Sequence, residues 1–212
     1  MLTVAVLTYN QHQDLLPACI ASIRDEDLPQ GEFTQRIIVD NAASVPVKYS
    51  DYPGWAIHRL SRNVGNIQGQ NMCFAKANGS HVLFVSDDVR FKPGCIAKLW
   101  SVGQFRGQIA PKILWPDGRV QANEKSTFNH IPSITYLMSK SLWEDVGGFD
   151  ARLPGAYEDV EMGLTLGIKR LRVLQSAEAI HLGNATLRYG WKDKWRFWKA
   201  RQMVKKAHPC NF

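Results

Sequence analysis

The stretch His81–Val89, HVLFVSDDV, constrains this chain more than any other. Val82–Val85 are apolar and β-rich without alternation, the pattern of a strand buried on both faces of a parallel sheet. Such a strand needs helices above and below it, joined by right-handed crossovers, and so points to an α/β architecture. It also delivers Asp87 and Asp88 to the carboxyl edge of the sheet, where open α/β folds bind ligands. Two adjacent acids there have two readings. One is a polar strand-to-turn junction, since Asp is common in turns. The other is a site for a cation between the acids and a ligand. Mg²⁺ or Mn²⁺ holding a diphosphate fits it, because these ions favour carboxylate oxygens together with substrate phosphates.

The 212 residues suffice for one well-filled α/β domain and give little reason to propose two. No apolar run approaches the roughly 18 residues needed to span a bilayer. The N-terminus lacks a basic-then-apolar secretory signal. A cytoplasmic protein is therefore expected, peripheral on the inner membrane face if its basic segment meets lipid. Cys19, Cys73, Cys95 and Cys210 show no CxxC spacing and read as reduced, mostly buried thiols.

Strands and helices alternate through the first half. Thr3–Thr8 reads as an opening strand, followed by Tyr9-Asn10 and a helix with Leu15, Leu16, Cys19, Ile20 and Ile23 on one face and Asp14 as N-cap. Ile37–Val39 is a second strand ending in Asp40-Asn41, and Trp55–Leu60 a third, leading through Ser61–Gly65 into a helix near Ile67–Ala77. Asn78-Gly79 should close that helix with Gly in the left-handed position. A short helix begun by Pro93 follows the acid-tipped strand. The second half is less regular: Gln108–Leu114 and Arg119–Gln121 flank a turn at Trp115-Pro116-Asp117-Gly118, strands are expected at Thr135–Met138 and Ala177–His181, and helices at Ser141–Val146 and within Ala156–Gly167.

Asp40-Asn41, Asp87-Asp88, Glu158-Asp159 and His181 all fall where strands end or helices begin, so they can converge at one sheet edge. Each also has a structural reading: an Asx-turn, a turn, an acidic helix start favoured by the dipole, and a satisfied core histidine. All four being structural at once is the less economical account.

The ordered set of segments resembles family 2 glycosyltransferases of the GT-A fold, in particular their rhamnosyltransferase-like branch. The segments are VLTYNQHQDLLPACIASI, IIVDNAAS, RNVGNIQGQNMCFAKANGSHVLFVSDDV, PKILWPDGRVQ, GGFDARLPGAYEDVEMGLTL and IHLGNAT, running from Val4 to about Ala200. The resemblance implies a single GT-A (Rossmann-like) catalytic domain over 1–187, with a mostly parallel central sheet flanked by helices. Its donor half would cover about 1–105 and its acceptor half 106–187, with a basic C-terminal helix in 188–212. It further implies an inverting, metal-dependent transfer from a nucleotide-diphosphate sugar, with uridine or thymidine diphosphate favoured, to a glycan or lipid-linked glycan.

By the same resemblance Thr8, Tyr9, Asn10, Asp40, Asn41, Arg62, Asn63, Gly65, Asn71, Asp87 and Asp88 would line the donor site. Asp88 and His181 would hold Mn²⁺ or Mg²⁺, and Asp159 beside Glu158 would be the catalytic base. Ser86, Glu161 and Thr165 depart from the family's usual residues, Ser86 leaving the first arm of the D-x-D-like motif non-acidic.

Charge is concentrated at one end. Arg188, Lys192, Lys194, Arg196, Lys199, Arg201, Lys205 and Lys206 face the single acid Asp193, while the rest of the chain balances, so the net +7 resides in this segment. Trp191, Trp195 and Trp198 form a stripe at i, i+4 and i+7 that is expected to pack on the body with the bases facing water. The surface comprising Trp191, Lys192, Lys194, Trp195, Arg196, Trp198 and Lys199 suits an acceptor or an anionic partner. Anionic lipid headgroups and a nucleic-acid backbone both fit, the latter suggesting transfer to modified DNA bases or a non-catalytic nucleic-acid-binding module. A pyrophosphorylase or a dinucleotide-dependent dehydrogenase should carry a glycine-rich loop after the first strand, and TYNQHQDL has no glycine.

Overall fold

The computed structural model describes residues 1–10, 14–29, 34–121, 130–183 and 191–209. Residues 11–13 of the opening motif, the last three residues of the histidine motif, Arg188 and Cys210 lie outside them, as do the side chains of Trp191, Lys192 and Asp193.

Among the described residues one sheet of eight strands runs in the order β3-β2-β1-β4-β7-β6-β8-β5. The strands are β1 (Leu2–Thr8), β2 (Thr34–Asp40), β3 (Ala56–Arg59), β4 (His81–Ser86), β5 (Val89–Phe91), β6 (Gln108–Leu114), β7 (Thr135–Ser139) and β8 (Leu171–His181). The helices are α1 (Leu16–Ala21), α2 (Gly65–Lys76), α3 (Cys95–Ser101), α4 (Lys140–Asp145), α5 (Glu158–Leu166) and α6 (Trp191–Ala207). None is long and apolar enough to cross a membrane.

The doubly buried strands behave as their composition requires. Leu2, Val4 and Val6 of β1 join Leu83 and Val85 of β4 in a core with α1 and α3. Ala5 and Leu7 join Val82 and Phe84 in a second core, which α2, α4, α5 and α6 cover. The sheet is mostly parallel, as expected, with β6 parallel to β8 and only β7 and β5 reversed. β3, β2, β1 and β4 are parallel, whereas β7 runs antiparallel to both β4 and β6. Apolar content marks a strand but not its direction, so the reversal is invisible in the sequence. The reversal nevertheless keeps one functional edge. The ends of β1, β2, β3, β4, β6 and β8 and the start of β7 all meet there.

Several local expectations are corrected. α1 starts one residue after Leu15 with no side-chain cap, so Asp14 is not its N-cap; Pro17 in the first turn sets the start instead. Gly79 is not left-handed, because Ala77 leaves α2 in extended conformation. What demands glycine at 79 is crowding: a Cβ there would stand 2.7 Å from the Thr3 backbone nitrogen. β5 follows the acid pair at once, and β8 is longer than expected. It pairs with β6 across an irregularity between Pro111 and Lys112, where proline offers no N–H to the ladder.

The stripe on α6 is also inverted. Ala200 and Val204 are buried in the second core with Phe197 and Met203 beside them, and Trp195 and Trp198 face outward. Phe197, Ala200 and Val204 supply a competing apolar row that lies almost opposite the tryptophans at 100° per residue.

Candidate active site

Asp87 and Asp88 form the turn between β4 and β5. β1 lies beside β4, so Thr8 stands next to this turn, and its hydroxyl donates to Asp87 Oδ2 at 2.5 Å. The Tyr9 backbone N–H also donates to Asp87. Burial, reinforced by the charge of Asp88, nevertheless pushes the Asp87 carboxyl up to about 6.

Asp88 meets the far end of the chain. β5 pairs with β8 so that Val89 lies opposite His181, and the Leu182 N–H donates to the Asp88 carbonyl at 3.0 Å. This brings His181 Nε2 to 3.1 Å from Asp88 Oδ2. The other ring nitrogen, Nδ1, is 2.9 Å from Gln121 Oε1, and the Trp115 ring stacks over the imidazole at 6.1 Å between centroids. With Nδ1–H donated to Gln121, Nε2 and Asp88 Oδ2 are two acceptors face to face. A proton or a cation must lie between them, and an imidazole oriented from behind by a polar partner is the usual arrangement of a metal ligand. Among the described residues no group of three His, Cys, Asp or Glu side chains is poised to hold a metal ion. Carboxylate plus imidazole therefore fits a cation that brings further oxygen ligands with it.

The β2 end plays a different part. Asp40 is fully buried, and its carboxylate accepts from the N–H groups of Ala43 and Val47 and from Arg59, at 2.8, 3.2 and 2.5 Å. It has no free face for a base or ribose, so the expected donor contact is replaced by control of the loop 41–47. Asn41 accepts from the Val64 N–H and donates to Asn63 Oδ1 and the Gly65 carbonyl, tying β2 to the loop before α2. Gly65 itself sits at φ +80, which suits glycine. Asn10 accepts from the Ser44 N–H, and Arg62 and Asn63 are exposed. Asn71 is likewise engaged away from a ligand: it donates to the Phe149 carbonyl and accepts from the Phe149 N–H, clamping α2 to the loop before α5.

Glu158 and Asp159 open α5. Glu158 is 8% exposed, accepts from Asn66 at 3.1 Å, and is pushed up to about 7 by burial and by the charge of Asp159. Burial raises Asp159 too, while His130, with Nε2 at 3.6 Å from its Oδ2, opposes the rise. The segment 130–134 links this pair to the metal-type pair. The Ser133 N–H donates to Asp159, and the Ile134 carbonyl accepts from the Ser86 N–H at 2.9 Å, one residue before Asp87. On the other side Asn66, in the first turn of α2, reaches Glu158.

The sequence reading missed Arg59, Asn66, Trp115, Gln121 and His130. Asn66 and Gln121 lie inside recognisable segments but carry no charge or spacing signal. Arg59 and His130 become meaningful through contacts with Asp40 and Asp159, which sequence spacing does not show.

Residues 3–139 match the family model for glycosyl transferase family 2. An N-acetylglucosaminyltransferase from Rhizobium meliloti (strain 1021) is 32% identical over 118 residues, covering 50% of this chain and 28% of that protein. The chain spans less than a third of the length of the curated relatives it matches. Among solved structures, GalNAc-T7 with UDP, GalNAc and Mn²⁺ superposes with TM-score 0.77 at 13% identity, covering 97% of this chain and 47% of that one. Residues 1–349 of S. aureus TarS in complex with UDP-GlcNAc give 0.70 at 19% identity, covering 97% and 65%.

Proposed function

The chain belongs to glycosyl transferase family 2, and on that premise we propose that it moves a sugar from a nucleotide-diphosphate sugar to an acceptor hydroxyl with inversion. The observation that carries this reading is the Asp88–His181 pair, 3.1 Å apart at the functional edge, with Gln121 behind the imidazole. Asp88 and His181 would hold Mn²⁺ or Mg²⁺, with donor diphosphate oxygens and water completing the shell. When bound, the ion neutralises charge building on the leaving nucleotide.

Asp87, held by Thr8, is the donor contact beside that pair. Tyr9, Asn10, Arg62, Asn63 and Gly65 line the nucleotide side. Asp40, Asn41 and Asn71 act through the loops they fix. Asp159 takes the acceptor proton, and Glu158 sits beside it as a buried acid anchored by Asn66. Attack on the face opposite the leaving diphosphate inverts the anomeric centre. A relative named for N-acetylglucosamine transfer and a neighbour solved with UDP-GlcNAc make uridine diphosphate sugars the first donors to try, with a glycan or lipid-linked glycan as acceptor.

Calorimetric titration of UDP with and without Mn²⁺ tests the metal site. Wild type should bind UDP in a Mn²⁺-dependent way and Asp88→Ala should lose that dependence. Unchanged Mn²⁺-dependent binding in the variant would return the acid pair to a turn.

A further inference from the structure

Helix α6 uses one face for the body and leaves the opposite face bare. Ala200 and Val204 are buried, and Phe197 and Met203 pack beside them. Trp195 and Trp198 are 52% and 61% exposed. At 100° per residue, Lys194, Arg201 and Lys205 flank this aromatic centre on one side and Lys199 and Lys206 on the other. All five bases are exposed, and the described side chains of α6 include no acid. Lys199 Nζ stands 5.1 Å from the centroid of the Trp195 ring, beside the indole.

This is an aromatic ridge with a basic border on each side. Indoles prefer the boundary between headgroup and acyl chain, and flanking bases reach anionic phosphates while their stems stay in apolar surroundings. A duplex would neutralise the bases but would offer two adjacent indoles on a convex helix no apolar place. Charge and aromatic placement together therefore favour a bilayer over a nucleic-acid backbone.

We propose that the Trp195–Trp198 face of α6 docks in the plane of an anionic membrane surface, with the indoles at headgroup level and the five bases on lipid phosphates. The docked helix is joined to the base-bearing helix. Phe197 meets Tyr157 edge-on at 6.1 Å, and His208 lies 3.6 Å from Glu161. Docking would thus hold the start of α5 at a fixed height above the lipid. The inference rests on the helix and its charges and holds whether or not the transfer reading does.

Co-sedimentation of the full chain with phosphatidylcholine vesicles, with and without phosphatidylglycerol, tests it. Binding should require the anionic lipid, and brominated acyl chains should quench tryptophan emission. Lys205→Glu with Lys206→Glu should weaken partitioning by at least about 30-fold, given roughly 1 kcal/mol per contacting base. Trp195→Ser with Trp198→Ser should abolish the bromine quenching assigned to this face. All four positions are exposed, and circular dichroism of each variant checks that α6 remains folded. Equal binding to neutral vesicles, or no quenching by brominated lipid, overturns the proposal. So does retention on duplex DNA in a buffer where anionic vesicles are not bound, which would assign the face to nucleic acid.

Discussion

The two sides of the functional edge handle buried carboxylates in opposite ways. At the end of β2, Asp40 has three donors, including a guanidinium, and serves as a fixed joint for the loop 41–47. At the start of α5, buried Glu158 and half-buried Asp159 are adjacent acids, and desolvation raises both above their ordinary values. Saturating a carboxylate with donors fixes its position. Crowding two acids into a buried helix start makes their protonation responsive. The first arrangement suits holding a donor in place and the second suits moving a proton.

The sharpest break of that contrast is Asp159→Asn. It should lower kcat for sugar transfer by roughly 10²–10⁴ while nucleotide binding persists. Turnover near wild type would remove proton transfer from the α5 side. Next is Asp40→Ala, which leaves two buried N–H groups and Arg59 without their acceptor. It should cost about 3 kcal/mol in urea denaturation, as expected for a broken buried network. A loss below about 1 kcal/mol would show that the loop does not depend on this joint.

The smallest effect concerns Glu158, whose carboxyl is raised from 4.5 to about 7. Between those values the folded state binds the proton more tightly than the unfolded chain, so stability falls as pH rises through the window. Glu158→Gln keeps an acceptor for Asn66 and removes the charge. It should stabilise the protein by on the order of 2 kcal/mol near pH 8 and by little near pH 4. An equal gain at both pH values would locate the effect in packing rather than ionisation.

Much of the first half was legible from residues alone. Unbroken apolar runs identify β1, β2 and β4 because a strand buried on both faces has no polar side to show. Gln108–Leu114, recognisable as one flank of the Trp115–Gly118 turn, is β6. Asp88, His181, Glu158 and Asp159 could be picked out because acids and histidines at element ends are chemically conspicuous. Neutral partners were not. Gln121, Asn66 and Trp115 carry no pattern until β8 and α5 bring their targets to them. Arg59 looked like an ordinary strand-end base, yet one nitrogen of its guanidinium donates to Asp40 and the other to the Ala43 carbonyl. On α6 two apolar rows competed, and the smaller residues of the Phe197–Ala200–Val204 row allow closer approach to the core than a row of indoles.

The pairing of β5 with β8 has a consequence for how the protein is assembled. The parallel ladders among β3, β2, β1 and β4 join strands of the first half of the chain, whereas the ladder that sets Val89 against His181 must wait for β8 in the second half. Contacts of such long sequence separation form late, after the entropy of closing the intervening loop has been met. A ribosome-bound chain that has not yet made β8 can already possess the parallel β3-β2-β1-β4 strands and still have no His181 beside Asp88. If the proposed Asp88–His181 cation site holds, competence to bind a divalent ion would mark completion of folding, and the ion would act as ligand to the finished molecule rather than to its intermediates.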